Sequence, residues 1–272
     1  MQDIVLNNRF ELQQRIGKGA FGLIFEANDR KSGKHCALKL EAVDAQHPQL
    51  EYEHRIYKQL SHGRSPWLPK IYWFGTSGDY RCLAMELLGP SLEHLHSSGQ
   101  LGLEHVLFYA PKMLQRLELV HTLVVHRDLK PDNFVLGKPD ARGYSDTVYL
   151  IDFGLSKCYR QGGHIPFRQG KGFVGTSRFS SINTHQGCEQ SRRDDLEALA
   201  YVLIYLAKGS LPWQSRRGHR KQLNREIGEL KASTSIKELC HGLPPGFARL
   251  LKYARSLEFE QQPDYAWCRA LF

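Results

Sequence analysis

The chain has 272 residues, 41% hydrophobic and 24% charged, which suits a folded protein able to bury a large core as one domain or as two lobes around a cleft. Its longest apolar run, Ala198 to Ala207, is too short to cross a bilayer and reads as a buried helix, so no membrane span is expected. The six cysteines (Cys36, Cys82, Cys158, Cys188, Cys240, Cys268) include no Cys-x-x-Cys pair, which excludes a disulfide framework or zinc site as the organising feature, while a net charge of +9 leaves nucleic acid, anionic membrane and acidic protein open as partners.

The N-terminus, Met1-Gln2-Asp3-Ile4, shows no charged-then-apolar leader, so a cytoplasmic and/or nuclear protein is expected. Phe10 to Ile16, Leu23 to Asn28 and His35 to Glu41 have strand-like residues and alternation between glycine-rich and polar turns. Between the first two, Ile16-Gly17-Lys18-Gly19-Ala20-Phe21-Gly22 spells Gly-x-Gly-x-x-Gly. The same spacing opens a dinucleotide site, and Glu41 lies about twenty residues on, where a ribose-binding acid would stand. A dinucleotide fingerprint must open a helix, however, and Leu23-Ile24-Phe25 continues as a strand. The reading is therefore a strand–glycine loop–strand laid over phosphates, the missing side chains allowing close backbone approach; the alternative is a plain hairpin turn.

Lys39 sits in the apolar string Ala37-Leu38-Lys39-Leu40. A buried ammonium needs a partner, and Glu53, on a helix expected from Gln49 to Leu60, is the candidate; the alternative is that Lys39 reaches solvent. Two more strands, Lys70 to Phe74 and Arg81 to Glu86, follow around a turn at Gly75 to Asp79. From Ser91 the pattern turns helical, with Val106, Leu107, Ala110, Met113, Leu114, Leu117 and Val120 at helical spacing. Pro111 lies inside that run and should kink the helix or remove one of its hydrogen bonds. Asp194 to Lys208 is the apolar helix, and residues 217–270 read as further helices broken at Pro244-Pro245 and Pro263. A small β-rich half thus precedes a larger helical half, with the boundary near Leu87 to Pro90.

The richest chemistry lies between Val124 and Lys157. His126-Arg127-Asp128-Leu129-Lys130-Pro131-Asp132-Asn133 precedes an apolar strand, Thr147 to Ile151, and then Asp152-Phe153-Gly154. Two loops each carry an acid, with a cation and an amide between. This set fits metal-assisted phosphoryl transfer on the general template of protein kinases. Asp128 can take the proton of an attacking hydroxyl, Lys130 can neutralise the transferred phosphoryl, and Asn133 and Asp152 offer hard oxygen ligands to Mg2+. A solvated polar loop is the alternative for any one of these motifs; the complete string in this order is specific.

These residues resemble a eukaryotic protein kinase, and Lys130-Pro131 looks like the serine/threonine type. The resemblance narrows to the casein kinase 1 family on Met85 to Glu93, on Ser181-Ile182-Asn183-Thr184-His185 where most kinases carry Ala-Pro-Glu, on Glu189 to Glu197, on Gly209 to Gln214 and on Pro263-Asp264-Tyr265. It covers about residues 9–272. It implies an α+β, two-lobed protein kinase fold with a small β-rich N-terminal lobe (about 9–87), a hinge (about 86–90) and a larger helical C-terminal lobe (about 91–272). It implies ATP and Mg2+ as cofactors. Nucleotide contacts are implied for Ile16, Gly17, Lys18, Gly19, Gly22, Ile24, Ala37, Lys39, Glu53, Met85 (behind adenine), Glu86 and Leu88 (the hinge), Leu136 and Ile151. Catalytic roles fall on Asp128, Lys130, Lys39, Asn133 and Asp152, the last two also as metal ligands. Asp195 is implied to brace the catalytic loop, and Arg192 and Arg193 to be structural. The family's regulatory tail is expected to be absent, since the sequence ends at Leu271-Phe272.

The resemblance further implies protein substrates with acidic or phosphorylated residues upstream of the serine or threonine, and activity without phosphorylation of the activation segment. Arg178 matches the family's anion-binding arginine, Thr176 should lie near Asp128, and Arg127, Lys157 and Lys171 form a second cation cluster. The family's partner lysine for Arg178 aligns with Leu223 here, so Arg220, Lys221 or Arg225 would have to replace it. Lys18 and Ala20 stand where the family's glycine loop usually has serine. A non-catalytic kinase-like scaffold is a rival reading, opposed by intact Lys39, Asp128, Asn133 and Asp152. A nucleic-acid binder is another: Arg216, Arg217, Arg220 and Lys221 cluster, but without an aromatic stacking platform. A monomer that binds no nucleic acid is expected.

Overall fold

A computed structural model describes residues 4–19, 22–61, 66–138, 145–160, 162–215 and 218–272. Ala20, Arg216 and Arg217, and the Lys18 side chain, lie outside that description. The chain divides into two compact units: Met1–Gly89 with Gly137–Ser145 and Ile151–Gly154, and Pro90–Leu136 with Asp146–Leu150 and Leu155–Phe272.

The first unit holds β1 (Val5–Leu6), β2 (Phe10–Gly19), β3 (Gly22–Asp29), β4 (Lys34–Ala42), α1 (Leu50–Ser61), β5 (Ile71–Ser77) and β6 (Tyr80–Glu86). The strands form one sheet in the order β1-β2-β3-β4-β6-β5, all pairs antiparallel. Alternation along β4 sends Cys36, Leu38 and Leu40 into a core with Phe10, Ala27, Cys82 and Ala84. Ala37 and Lys39 consequently face the other side. The β5–β6 turn is three residues tighter at its start than expected: Gly75 to Ser77 stay in the strand, and Gly78, at φ 54°, makes the reversal with Asp79. Helix α1 is one residue displaced from the sequence expectation.

The second unit comprises α2 (Leu92–Ser97), α3 (Leu103–Val120), β7 (Val124–Val125), a 3-10 turn at Pro131–Asn133, β8 (Phe134–Leu136), β9 (Val148–Leu150), β10 (Lys157–Cys158), α4 (Ile182–His185), α5 (Arg192–Lys208), α6 (Arg220–Ser233), α7 (Ile236–Leu239), α8 (Pro245–Ser256) and α9 (Tyr265–Arg269). Pro111 does not end α3, which runs on to Val120 and tolerates the missing N–H. Helix α5 is buried along nearly its whole length, from Leu196 to Leu206, as its apolar run requires. It begins two residues before Asp194, whose carboxylate accepts the Ser191 N–H, and it stops at Gly209, at φ 85°. Pro245 lies in the first turn of α8, where its lost N–H costs nothing. Among the described residues no helix is long and apolar enough to cross a membrane.

Candidate active site

Lys39, Glu53 and Asp152 come together in the first unit. Lys39 Nζ stands 2.6 Å from Glu53 Oε2 and 2.9 Å from Asp152 Oδ1, and Glu53 is buried. Burial works against the lysine charge, but the attraction of Glu53 and then Asp152 outweighs it, so its pKa lies above the ordinary lysine value. Burial pushes Glu53 up, to about 7, while the Lys39 charge pulls it back. Taking away one partner would strand the other in a dry site, at a cost of about 3–5 kcal/mol. The ammonium therefore remains pinned beside the acid that precedes Phe153 and Gly154.

Two groups that the motifs did not reveal hold this trio in place. Asp152 has φ 70°, a strained conformation for a non-glycine residue, and its N–H donates to the Tyr57 hydroxyl at 3.2 Å. Glu41 Oε1 accepts the N–H groups of Gln49 at 2.6 Å and Leu50 at 3.1 Å, at the start of α1. An acid at a helix N-terminus satisfies donors that have no partner inside the helix and complements its dipole. Glu41 thereby ties the helix carrying Glu53 to the strand carrying Lys39. Its place about twenty residues after the glycines has nothing to do with a ribose. The sequence carries no signal for this role, since Gln49 lies eight residues further along the chain.

The glycines lie on a hairpin. Gly17 and Gly19 are in β2, Gly22 is in β3, and Gly19 pairs with Gly22, so no helix follows and the dinucleotide reading fails. A Cβ on Gly22 would stand 1.9 Å from the Leu40 carbonyl oxygen, so only glycine lets β3 approach β4 there. Ile24 pairs with Lys39, and Ala37 with Met85. Ile16 is 46% exposed at this hairpin. At the expected hinge, the Glu86 N–H donates to Lys70 O at 2.8 Å. Leu88 follows in irregular backbone and Ile151 precedes Asp152, both half-buried. Leu136, by contrast, is buried in β8 of the second unit, paired with Val148.

In the second unit the catalytic loop is clamped from α5. Asp195 is buried and accepts the His126 N–H at 2.6 Å, the Arg127 N–H at 2.9 Å and His121 Nε2 at 2.9 Å. Burial raises the Asp195 pKa, but the hydrogen bond from His121 and the charges around it bring it below the ordinary value. These bonds keep Arg127 at φ 68°, a second strained residue. The turn sets Asp128, Lys130 and Asn133 together. Asp128 Oδ2 accepts Lys130 Nζ at 2.8 Å, and Oδ1 accepts the Thr176 hydroxyl at 2.7 Å. Asn133 donates its amide nitrogen to Asp128 O at 2.9 Å, which leaves its carbonyl oxygen as the donor atom for a cation. Gly175 permits the approach of the Thr176 segment, for a Cβ there would meet Arg127 O at 2.4 Å. Arg192 and Arg193 reach the Glu260 and Leu257 carbonyls respectively, in structural positions.

The cations assigned to substrate anions divide differently from expectation. Lys157 and Lys171 both meet the buried Glu189, at 2.8 and 3.4 Å, so that cluster contains its own anion. Arg127 donates its Nε to Leu155 O. Arg178 lies near the rings of Phe179 and Tyr205 in a hollow of about 390 Å³ that Lys130, Asp132, Thr176, Ser177, Trp213 and Leu223 also line. Leu223 thus takes up the expected position of a second cation. Lys221 and Arg225 do not replace it: among the described residues they line another hollow, with Lys171 and His185. Helix geometry separates them, since Lys221 and Arg225 are each two residues from Leu223 and so point about 200° away from it.

Each unit, taken on its own, fits a part of one chemistry. The first offers a cation held between carboxylates and a glycine hairpin suited to phosphate. The second offers a carboxylate positioned by a lysine and a hydroxyl, beside an amide oxygen suited to a hard metal. Compared with known protein families, residues 10–252 match the protein kinase domain.

Proposed function

The chain belongs to the protein kinase domain family, with its two-lobed α+β fold, ATP-dependent phosphotransfer and protein substrates, and from that premise we propose that it is a serine/threonine kinase of casein kinase 1 type. The observation that carries the reading is the Asp128 carboxylate, held by Lys130 at 2.8 Å and by the Thr176 hydroxyl at 2.7 Å. A carboxylate so placed accepts the proton of an incoming serine or threonine hydroxyl, and Lys130 offsets charge on the transferred phosphoryl. Asp152 and Asn133 are the ligands for Mg2+, which when bound supplies charge neutralisation at the phosphates. Lys39, oriented by Glu53, binds nucleotide phosphate. Nucleotide-binding roles are assigned to Ile16, Gly17, Lys18, Gly19, Gly22, Ile24, Ala37, Met85, Glu86, Leu88 and Ile151 in the first unit and to Leu136 in the second.

The casein kinase 1 part of the reading draws on five sequence segments, and one of them, Ser-Ile-Asn-Thr-His, has a defined setting. Ser181 donates to Asp194 at 2.6 Å, the Ile182 N–H reaches Glu197 at 3.3 Å, and His185 Nδ1 lies 2.7 Å from Asn224 O. The reading includes a preference for phosphorylated or acidic residues upstream of the acceptor, recognised through Arg178. It also includes a monomeric state, a cytoplasmic and/or nuclear location, and no binding of nucleic acid. A peptide-library phosphorylation screen with ATP and Mg2+, including phosphorylated peptides, tests it. Incorporation into serine and threonine, strongest after an upstream phosphate, supports the reading. Incorporation into tyrosine alone, or none at all, rejects it.

A further inference from the structure

Lys231 is fully buried near the middle of the helical unit, on α6, and has no part in the phosphotransfer scheme. A lysine in such a place is costly unless every N–H finds an acceptor. Its Nζ lies 2.7 Å from Ser177 O, 2.5 Å from Ser180 O and 3.2 Å from His185 Nε2. His185 Nδ1 faces Asn224 O at 2.7 Å and carries a ring proton there, while Nε2 lies 3.2 Å from Ser177 O as well as from the lysine. The two carbonyl oxygens take two donors of Nζ and suit an ammonium. The rings of Tyr201 and Trp213, at 4.9 and 5.2 Å, favour a cation as well. Burial pulls the Lys231 pKa well below the ordinary value; the Glu197 charge opposes that pull and Arg255 adds to it.

The carbonyls it grips belong to one turn, residues 176–180. Within that turn the N–H groups of Phe179 and Ser180 both donate to Thr176 O at 3.0 Å. Trp213 Nε1 takes the Arg178 carbonyl at 2.7 Å. The Ser177, Arg178 and Ser180 carbonyls are therefore all bound from beneath by side chains of the helical unit. At its leading edge the turn gives the Thr176 hydroxyl to Asp128, and its outer side lines the hollow beside Lys130 and Asp132.

We propose that Lys231 is a positioning residue for the protein substrate: its ammonium fixes the 176–180 turn from below, and the turn in turn aims Asp128 through Thr176 and shapes the surface on which the acceptor peptide lies. The inference rests on the reading of Asp128 as the base. It goes beyond that reading by giving a group remote from the reacting atoms control of the peptide and none of the nucleotide.

The test uses the full chain with ATP, Mg2+ and one peptide substrate. Lys231→Met keeps the length of the side chain and removes its donors. It should lower kcat by about 100-fold, the scale of a misplaced reacting group, and raise KM for peptide while KM for ATP holds. Exchange of the Phe179 and Ser180 amides should quicken, with α5 unchanged. Loss of folded protein alone would lower kcat and leave the peptide KM as it was. Should Lys231→Met fail to fold, Trp213→Phe decides, since it keeps a ring in the hollow and deletes only the donor to Arg178 O. A higher peptide KM in that variant supports the inference, and unchanged peptide kinetics overturns it. Lys231→Met with wild-type peptide kinetics, or with equal loss of peptide and ATP affinity, overturns it too. Asp128→Asn run in parallel separates the two readings: wild-type turnover there refutes the base, whereas an inactive Asp128→Asn beside an unaffected Lys231→Met refutes only the role of Lys231.

Discussion

Lys39 Nζ lies 2.9 Å from Asp152 Oδ1, so the cation proposed for nucleotide phosphate already holds the carboxylate proposed for the metal. Each group thus fixes the position of the other. Asp152→Ala should weaken Mg-ATP binding as well as turnover, since it removes a charged ligand from a hard cation and one of the two anions that hold Lys39. Asn133→Ala removes a neutral ligand and should weaken binding less. Nucleotide titrations over a range of Mg2+ concentration check the order. An Asp152 variant with unaltered Mg2+ dependence would remove that residue from the metal site.

Glu189 bears on regulation. It neutralises Lys157 and Lys171 from a buried position, and its own pKa falls below the ordinary value despite burial, because both lysines favour its charge. An activation segment whose cations already have an internal anion does not need a phosphate to settle them. Enzyme made in bacteria and treated with phosphatase should accordingly keep its turnover. Glu189→Ala should lose part of it in low salt, as two cations are left facing each other, and added sulfate should restore some. Inactivation of the wild-type protein by phosphatase would refute this view.

The histidine of the Ser-Ile-Asn-Thr-His segment governs one window of acid stability. Burial, then the facing Lys231 charge, push His185 down to about 4. A histidine is ordinarily half-protonated near pH 6.5, so between about 6.5 and 4 the unfolded chain binds the extra proton and the folded one does not. The contribution is complete above that window and is lost as pH falls through it. Thermal unfolding of His185→Gln beside wild type should show a shallower acid slope over those values, apart from any constant offset. Parallel slopes would mean that His185 does not titrate in this way.

Arg178 decides substrate choice in the proposed reading. A phosphate carries about −1.5 to −2 charges at neutral pH and offers more acceptor oxygens than a carboxylate. Phosphorylated peptides should therefore outperform acidic ones, and acidic ones neutral ones, with the gap closing as salt rises. Arg178→Ala should erase most of the gap and spare turnover on an unphosphorylated peptide. Because Leu223 lines the same hollow, Leu223→Lys should widen the gap. Equal loss on all peptides in the Arg178 variant would mark it as a brace of its own turn.

Much of this was legible from local pattern. Alternation placed Lys39 off the core face of β4, and the continuation of Leu23-Ile24-Phe25 as a strand separated the glycine hairpin from a dinucleotide site. The apolar run of α5 announced a buried helix. What stayed hidden depended on contacts distant in sequence. Glu41 looks like any charged strand end until the N-terminus of α1 folds against it, and Glu189 belongs to a signature string whose spacing says nothing of Lys157 and Lys171. Lys231 lies in a helix of mixed charge, and its burial comes from Ser177, Ser180 and Trp213, 54 residues or fewer away along the chain. Pro111 was legible too: it lies inside α3 and takes one backbone N–H out of the helix, which runs on to Val120.

The central claim is that Asp128 is the base, set by Lys130 and Thr176. Asp128→Asn, compared with wild type for peptide phosphorylation and for thermal stabilisation by Mg-ATP, tests it most directly. The account predicts turnover lower by about 100- to 10,000-fold, with the stabilisation by Mg-ATP largely kept, because Asp128 serves the hydroxyl and not the nucleotide. Loss of the stabilisation as complete as the loss of turnover, or turnover at the wild-type rate, would contradict it.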